Sequence, residues 1–401
     1  MFNINKFIKE NVICRNVSMF EEDIQRNQDA LYEKIQGKSV LVIGGAGTIG
    51  SSFIKAIVRF NPETLYVVDL NENGLTELTR DLRSTYGVAV PENYKTYTLD
   101  FDSPIFEAIF REQKGFDIVA NFSAHKHVRS EKDKYSVQAL IENNLFKAKN
   151  LLELLKEYPP QTFFCVSTDK AANPVNVMGC SKKIMEDLIF AYSEHFKVTT
   201  ARFANVAFSN GSLPAGWLER LMKNQPLAAP SDVRRYFVSP EESGQICMLA
   251  CILGKNREIF FPKLGEDQML TFSSICTVML EKMGKSPIEC SSDEEAKKIA
   301  SEMPEDSKTY PVVYFKSDTT GEKDFEEFYV DGESVDMERF ASLGVITDIP
   351  YQNADSTIGF IEECSQLFKT GFSKEDIVAL MKTAVPNFEH VEKGKNLDQK
   401  M

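Results

Sequence analysis

Short apolar runs alternate with amphipathic stretches between residues 38 and 203 of the chain. Leu75, Leu78 and Leu82 recur at helical spacing in one such stretch, which therefore predicts a helix with one buried face. Strands separated by helices in this way are typical of an α/β fold with a doubly wound parallel sheet. The predicted strands are Ser39–Ile43, Leu65–Asp69, Lys95–Leu99, Asp117–Asn121, Thr162–Val166 and Val198–Phe203.

The amino-terminal residues show helical periodicity as well. Phe20, Ile24, Leu31 and Ile35 mark one apolar face of a predicted helix. A face of this kind is normally buried, so we expect it to pack on its own domain or on a partner subunit.

The length of 401 residues suits one large α/β domain and a smaller one. We predict an N-terminal helical extension over residues 1–36, followed by a nucleotide-binding domain with substrate loops over residues 37–260. A smaller α+β substrate-binding lobe is predicted over residues 261–350, and C-terminal helices and a tail over residues 351–401.

Composition narrows the class of protein. Hydrophobic residues make up 43% and charged residues 26%, without an apolar run of membrane-spanning length, so we expect no membrane span. Residues 1–36 lack the features of a secretory signal, and we predict a cytoplasmic protein. The net charge of −13 argues against nucleic-acid binding. The eight cysteines and four histidines lack metal-ligand spacing, so we expect no metal.

The motif Gly44-x-x-Gly47-x-x-Gly50 follows the first predicted strand and opens a helix. Glycines there let the chain turn tightly and bring helix N–H groups close to a pyrophosphate. This context is typical of a Rossmann-type dinucleotide site, to which we also assign Thr48 and Ile49.

Asp69 ends the second predicted strand, where a carboxylate can accept hydrogen bonds from both hydroxyls of an adenosine ribose. Its charge would repel a 2′-phosphate, so we expect NAD rather than NADP as the cofactor. The other interpretation of Asp69 is a helix cap or turn residue. Asp100 and Phe101, after the third strand, fit the edge and face of the adenine, and equally fit a turn acid and a core aromatic.

Residues 165–182 contain the strongest candidates for catalysis. The fifth predicted strand delivers Thr168, Asp169 and Lys170 to the carboxyl end of the sheet, where open α/β sheets bind ligands. Met178 and Lys182 have the spacing of the Tyr-x-x-x-Lys signature of short-chain dehydrogenase/reductases, with methionine in place of tyrosine. Lys182 is expected to hold the nicotinamide ribose.

Met178 has no ionisable proton, so it cannot take the proton of a sugar hydroxyl. We therefore assign that role to Thr168 or to a group relayed through it. The adjacent Asp169 and Lys170 are expected to project to opposite faces of the local backbone, with their opposite charges tuning one another.

With these motifs the chain resembles the extended short-chain dehydrogenase/reductases, and within them the UDP-N-acetylglucosamine 4,6-dehydratases of bacterial polysaccharide and glycan synthesis. The matching segments are the glycine motif, 124–128, Asn144, 167–170, 173–182, 202–206, 211–214, 235–237 and 321–323. Three positions depart from the family's usual residues: Ala204 replaces a glycine, and Asn210 and Thr319 replace arginines.

The resemblance implies a lyase that oxidises C4 of the sugar, eliminates water across C5 and C6, and returns the hydride to C6. It implies Asp169 as the acid at the C6 oxygen and Lys170 as the base at C5. A redox-neutral cycle of this kind must retain its NAD, and we also expect a homo-oligomer of two or more copies. The expected contacts to the UDP-sugar are Lys126, Asn205, Ser212, Arg235, Glu322 and Lys323.

Two other functions fit the same residues. A nucleotide-sugar epimerase acting at C4, or a dehydratase that also inverts C5, would share the fold and cofactor, although simple C4 epimerisation does not need an Asp169–Lys170 pair. A catalytically silent NAD-binding regulator would explain Met178, but the retained Asp169, Lys170 and Lys182 argue against it.

Overall fold

The computed structural model describes residues 2–127, 131–304, 306–317, 327–350 and 354–390. Its strands are β1 (Ser39–Ile43), β2 (Thr64–Asp69), β3 (Asn93–Thr98), β4 (Ile118–Asn121), β5 (Thr162–Val166), β6 (Val198–Ala201), β7 (Asn205–Val206), β8 (Leu227–Pro230), β9 (Arg234–Arg235), β10 (Phe237–Val238), β11 (Glu258–Pro262), β12 (Leu270–Thr271), β13 (Ser286–Glu289), β14 (Thr309–Phe315), β15 (Ser334–Asp336) and β16 (Leu343–Thr347). Its α-helices are α1 (Ile4–Phe7), α2 (Glu21–Arg26), α3 (Gln28–Ile35), α4 (Thr48–Ile57), α5 (Glu72–Ser84), α6 (Pro104–Glu112), α7 (Lys134–Ile141), α8 (Lys147–Leu155), α9 (Val177–Ala191), α10 (Leu213–Met222), α11 (Pro240–Leu253), α12 (Phe272–Lys282), α13 (Asp293–Glu302), α14 (Ala354–Thr370) and α15 (Lys374–Ala384).

The main sheet has nine strands within the described residues, in the order β15-β16-β11-β6-β5-β4-β1-β2-β3. The strands from β3 to β6 are parallel and follow the order 3-2-1-4-5-6 of a dinucleotide-binding sheet. β11 pairs in parallel with β6, whereas β16 pairs antiparallel with β11 and β15 pairs antiparallel with β16. The predicted Rossmann-type fold is therefore confirmed, and the six predicted strands lie within two residues of the observed bounds.

The central strands of this sheet are buried on both faces, whereas the edge strands β3 and β15 are partly exposed. Every residue of β4 and β5 is buried, which explains why these strands appear in the sequence as continuous apolar runs rather than alternating ones. The helix α4 packs against α11, and α8 packs against α9. The chain crosses over between β1 and β4, so their carboxyl ends form the crevice where such sheets bind ligands.

A second, three-stranded parallel sheet has the order β13-β14-β8 and forms a smaller lobe with α12 and α13. The sheets divide the chain differently from the predicted boundary between residues 260 and 261. β8 precedes that boundary but belongs to the smaller sheet, while β15 and β16 follow it and join the main sheet. The free backbone N–H and C=O groups at the edge of β11 pair with those of β16. The sequence around residues 261–350 does not indicate this long-range pairing.

The N-terminal residues connect the two hydrophobic cores. Phe7 and Val12 pack in the core of the smaller lobe, together with Trp217. The predicted apolar face of residues 20–35 is buried in the core of the main sheet of the same chain, although the helix there is divided into α2 and α3. Within the described ranges, no helix is long and apolar enough to cross a membrane.

Candidate functional site

The loop between β1 and α4 passes very close to neighbouring backbone. Gly44 has a φ of +75°, and a Cβ there would lie 2.7 Å from the backbone nitrogen of Ser123. A Cβ at Gly50 would lie 2.3 Å from the carbonyl oxygen of Gly44. The helix α4 begins at Thr48 with Gly47 as its N-cap, which has no side chain to satisfy the first N–H groups. The loop therefore presents helix N–H groups that suit an anion.

A cleft of about 240 Å³ lies beside this loop, at the carboxyl ends of β1, β2 and β4. Asp69 forms part of its wall, and its two carboxylate oxygens accept hydrogen bonds of 2.9 Å from the N–H groups of Ala46 and Asn71. The cleft brings together all the predicted cofactor residues except Lys182. Its lining residues are Ile43, Gly44, Gly47, Thr48, Ile49, Gly50, Val68, Asp69, Leu70, Leu99, Asp100, Phe101, Phe122, Ser123, Ala124, Lys126 and Asn143.

Asp100 and Phe101 both line the cleft and also have structural contacts. Asp100 forms an ion pair with Lys147, and its other oxygen accepts the N–H of Asp102 at 3.0 Å. Burial opposes ionisation of Asp100, but these contacts outweigh it and lower its pKa below the ordinary value. Phe101 is a buried core aromatic that also lines the cleft.

Thr168, Asp169 and Lys170 form one hydrogen-bonded group just beyond β5. The Oδ1 atom of the buried Asp169 accepts the Thr168 hydroxyl at 2.7 Å and the Lys170 backbone N–H at 2.9 Å. The same oxygen accepts the Lys170 ammonium at 3.1 Å. The expectation that Asp169 and Lys170 project to opposite faces is therefore wrong. The turn of 3-10 helix at residues 169–171 brings the two side chains together as an ion pair.

Met178 and Lys182 lie in the first turns of α9, and both are buried. The Lys182 ammonium donates to the carbonyl oxygen of Val166 at 3.0 Å and lies 3.5 Å from the sulfur of Met185. Burial lowers the pKa of Lys182 below its ordinary value. Lys182 thus contacts the end of β5, the strand that leads to Thr168.

A buried charged network behind this group was missed by the sequence interpretation. Ser167 donates to Glu186 Oε1 at 2.6 Å, and the guanidinium of Arg202 donates to both oxygens of Glu186 at 2.9 and 2.7 Å. Arg202 also contacts Glu333 at 3.2 Å. The residues that follow β5 and β6 thus meet α9 and residue 333 in this network. Burial opposes ionisation of Glu186, but Arg202 outweighs it and lowers the pKa of this carboxyl. Glu186 follows Lys182 by one helical turn on an apolar helix, a spacing that could have indicated a buried charge.

Two predicted substrate residues have local structural contacts. Ser212 is the N-cap of α10, and its hydroxyl accepts the Ala215 N–H at 3.3 Å. Asn205 lies in β7, where its backbone N–H donates to the carbonyl of Tyr236 at 3.1 Å.

Lys126 and Arg235 supply positive charge on different elements. The Lys126 ammonium donates to the carbonyl of Asn210 at 3.2 Å, and Lys126 is among the residues that line the cleft. Arg235 lies in β9, is 5% exposed, and donates to the carbonyl of Arg234 at 2.8 Å. The remaining predicted substrate residues, Glu322 and Lys323, lie outside the described residues.

A protein family described as polysaccharide biosynthesis protein matches residues 40–346 of the chain. An uncharacterized membrane protein of Methanocaldococcus jannaschii is 29% identical over 77% of this chain and 85% of its own length. The probable polysaccharide biosynthesis protein EpsC of Bacillus subtilis is 29% identical over 58% of this chain. The chain spans only 39% of the length of EpsC.

Relatives with more specific names are less similar. A UDP-N-acetylglucosamine 4,6-dehydratase (inverting) of Campylobacter jejuni is 24% identical over 57% of this chain and 67% of its own length. A UDP-glucose 4-epimerase of Rickettsia bellii is 27% identical over 56% of this chain and 66% of its own length. The relatives therefore include both dehydratases and epimerases of nucleotide sugars.

Solved structures share the fold. The structure of Pen from Bacillus thuringiensis has a TM-score of 0.61 and 21% identity, covering 80% of this chain and 90% of that protein. A dTDP-glucose 4,6-dehydratase from Streptomyces venezuelae, solved with NAD bound, has a TM-score of 0.56 and 17% identity. The alignment covers 82% of this chain and 98% of that dehydratase, so the two share the fold over nearly the whole dehydratase.

Proposed function

Because the chain belongs to the polysaccharide biosynthesis protein family, we propose that it is an NAD-dependent nucleotide-sugar 4,6-dehydratase that acts on UDP-N-acetylglucosamine or a close relative. The observation that carries this proposal is the hydrogen-bonded group of Thr168, Asp169 and Lys170 beyond β5. It joins a hydroxyl, a carboxylate and an amine in one place, which is the set of groups that oxidation and elimination require.

The cleft beside the glycine loop fits NAD. Side chains are excluded at Gly44 and Gly50, so a pyrophosphate can approach the backbone and the first turn of α4. Asp69 would meet the adenosine ribose, and its charge disfavours a 2′-phosphate. Asp69 already accepts the Ala46 N–H, so it also ties the glycine loop to β2. NAD bound there would supply the acceptor for the C4 hydride and the donor that returns it to C6.

The three-residue group beyond β5 can move two separate protons. The Thr168 hydroxyl donates to Asp169, so it can accept the C4 hydroxyl proton while passing its own proton to the carboxylate. The protonated Asp169 then delivers a proton to the C6 oxygen, which leaves as water. Lys170 in its amine form removes the C5 proton and returns a proton to C5 when C6 receives the hydride. Each proton taken from the sugar thus has an acceptor and a later destination.

The substrate side of the site rests on residues whose roles stay predictions. Lys182 is proposed to hold the nicotinamide ribose, and Met178 to fill the position beside it without proton chemistry. The proposed contacts to the nucleotide sugar are Lys126, Asn205, Ser212, Arg235, Glu322 and Lys323. A homo-oligomer and a cytoplasmic location also stay predictions.

Product analysis tests this function directly. The purified chain, supplied with NAD and UDP-N-acetylglucosamine, should form a 4-keto-6-deoxy sugar with broad ultraviolet absorbance in base. The Lys170→Ala variant should form little of it. A C4 epimer in place of the keto sugar would support an epimerase, the activity named for the Rickettsia bellii relative. Bound NAD without any change in a nucleotide sugar would instead support a silent regulator.

A further inference from the structure

The backbone of Asn210 contacts both walls of the cofactor cleft. Its N–H donates to Oγ1 of Thr48 at 2.9 Å, and its carbonyl accepts the Lys126 ammonium at 3.2 Å. Thr48 begins α4 and Lys126 lies on the loop after β4, and both residues line the cleft. One exposed residue thus links the glycine-loop wall to the β4 wall, an arrangement that we call the Asn210 bridge.

The loop that carries the bridge is held in a defined conformation. Phe208 and Gly211 flank it with φ values of +53° and +76°. A Cβ at Gly211 would lie 2.9 Å from Nε2 of His127, so the loop passes directly against the residue that follows Lys126. On its other side, the Ser212 N–H donates to the Ser209 carbonyl at 2.9 Å. The position of the Asn210 backbone is therefore fixed by its neighbours rather than by its own side chain.

The bridge also orients the two groups that it contacts. A threonine hydroxyl that accepts an N–H keeps its own proton to donate, and an ammonium that donates once has two further N–H groups. Thr48 stands at the first turn of α4, where the helix dipole favours an anion. The bridge thus prepares a hydroxyl donor and a cation at the phosphate-binding end of the cleft, the chemistry that a diphosphate group requires.

We propose that Asn210 is a positioning residue that slows the release of the bound dinucleotide by joining the two cleft walls through its backbone. This inference rests on the proposed function, because a redox-neutral enzyme loses its reduced cofactor if the cleft opens between oxidation and reduction. It uses only main-chain atoms of Asn210. The bridge therefore does not need the arginine that the 4,6-dehydratases, which this chain resembles, usually have at this position.

The rate at which the protein releases NADH tests the Asn210 bridge. The protein is loaded with NADH, an excess of NAD is added, and the loss of NADH fluorescence gives the release rate. Asn210→Pro removes the N–H, and Gly211→Ala adds a strained side chain against His127 and displaces the loop. Each variant should release NADH about tenfold faster, as expected for the loss of one or two hydrogen bonds.

Two matched controls should keep the wild-type release rate. Asn210→Ala retains both backbone contacts. Gly87→Ala introduces a Cβ at a φ of +81° with nothing within 4 Å of it, so it carries the same kind of backbone strain away from the cleft. Equal acceleration by Asn210→Ala would overturn the backbone bridge, because the side chain would then be responsible.

Thermal unfolding verifies that each variant is folded, and if Asn210→Pro does not fold, Gly211→Ala decides the question. A folded Gly211→Ala variant with the wild-type release rate would overturn the bridge while leaving NAD binding and the proposed function intact. A wild-type protein that binds neither NAD nor NADH would overturn the proposed function, and the bridge with it.

Discussion

The glycine loop and the segment Ser167–Lys170 follow two strands of one sheet, yet different kinds of contact hold them in place. The glycine loop packs backbone against backbone, so its shape depends on side chains that are missing at Gly44 and Gly50. Ser167 and Asp169 instead depend on side chains, because Ser167 bonds to Glu186 and Asp169 bonds to its two neighbours. The absence of side chains therefore determines the first region, whereas hydrogen bonds between side chains determine the second.

This difference separates two kinds of perturbation. A change in the glycine loop should alter cofactor binding and leave the acid–base group intact. A change in the Ser167–Lys170 segment should leave cofactor binding intact and stop the reaction at hydride transfer or at elimination.

The Asp169→Asn substitution should have the largest effect on the reaction. Asparagine keeps an oxygen that can accept hydrogen bonds but cannot carry the proton to the C6 oxygen. Formation of the 4-keto-6-deoxy product should fall by about 10²–10⁴-fold, the usual contribution of a general acid. NADH absorbance should rise little after mixing with substrate, as measured by stopped flow, because Asp169 also receives the proton that Thr168 passes on during C4 oxidation. Asp29→Asn, at an exposed site on α3, is the control and should form product normally, while normal turnover by Asp169→Asn would remove Asp169 from the mechanism.

The Glu186→Gln substitution should have the largest effect on stability. It leaves the buried guanidinium of Arg202 without its bidentate carboxylate, and breaking a buried pair in this way costs about 3–5 kcal/mol. Urea denaturation measures the free energy of unfolding. Glu157→Gln breaks the exposed pair with Arg111 and should leave the urea midpoint nearly unchanged. Equal midpoints for the two variants would contradict the importance of the buried network.

The ionisation of Glu186 should make the stability of the protein depend on pH. The pKa of Glu186 in the folded protein lies below its ordinary value, despite burial, because Arg202 stabilises the charge. Its contribution is therefore present above the pKa of the unfolded chain, about 4.3, and is lost as the pH falls through the folded pKa. Below about pH 4.3 the wild type should lose stability more steeply than Glu186→Gln. Parallel curves in thermal unfolding would contradict this assignment.

The Met178→Leu substitution should have the smallest effect. Met178 is buried, and exchange of methionine for leucine usually costs less than about 1.5 kcal/mol. If Thr168 carries the proton chemistry at C4, product formation by Met178→Leu should stay near the wild-type rate, while Thr168→Val should slow hydride transfer. A loss of product formation with Met178→Leu as large as that with Asp169→Asn would mean that the sulfur takes part in the reaction.

The sequence predicted the sheet and the turn of the glycine loop because both depend on local patterns. Apolar runs buried on both faces indicated the parallel strands, and Gly44, Gly47 and Gly50 indicated the turn into α4. Asp69 was expected to meet an adenosine ribose or to act as a cap or turn residue; it lines the cleft and accepts the N–H groups of Ala46 and Asn71.

The sequence did not predict contacts between residues that are far apart in the chain. Arg202 and Glu186 meet only because β6 lies beside β5, against which α9 also packs, and β16 joins the main sheet only because β11 offers an open edge. The ion pair of Asp169 and Lys170 was missed for a different reason. Strand-like alternation favours opposite faces for neighbouring residues, but the chain turns into a 3-10 helix at Asp169.

The fate of the C4 hydrogen tests the central claim most directly. UDP-N-acetylglucosamine labelled with deuterium at C4 is converted by the purified chain, and the product is analysed by NMR. A 4,6-dehydratase should transfer the deuterium from C4 to C6 of a 4-keto-6-deoxy sugar, with a solvent hydrogen at C5. Deuterium retained at C4 of a hydroxylated product would contradict the dehydratase and indicate an epimerase.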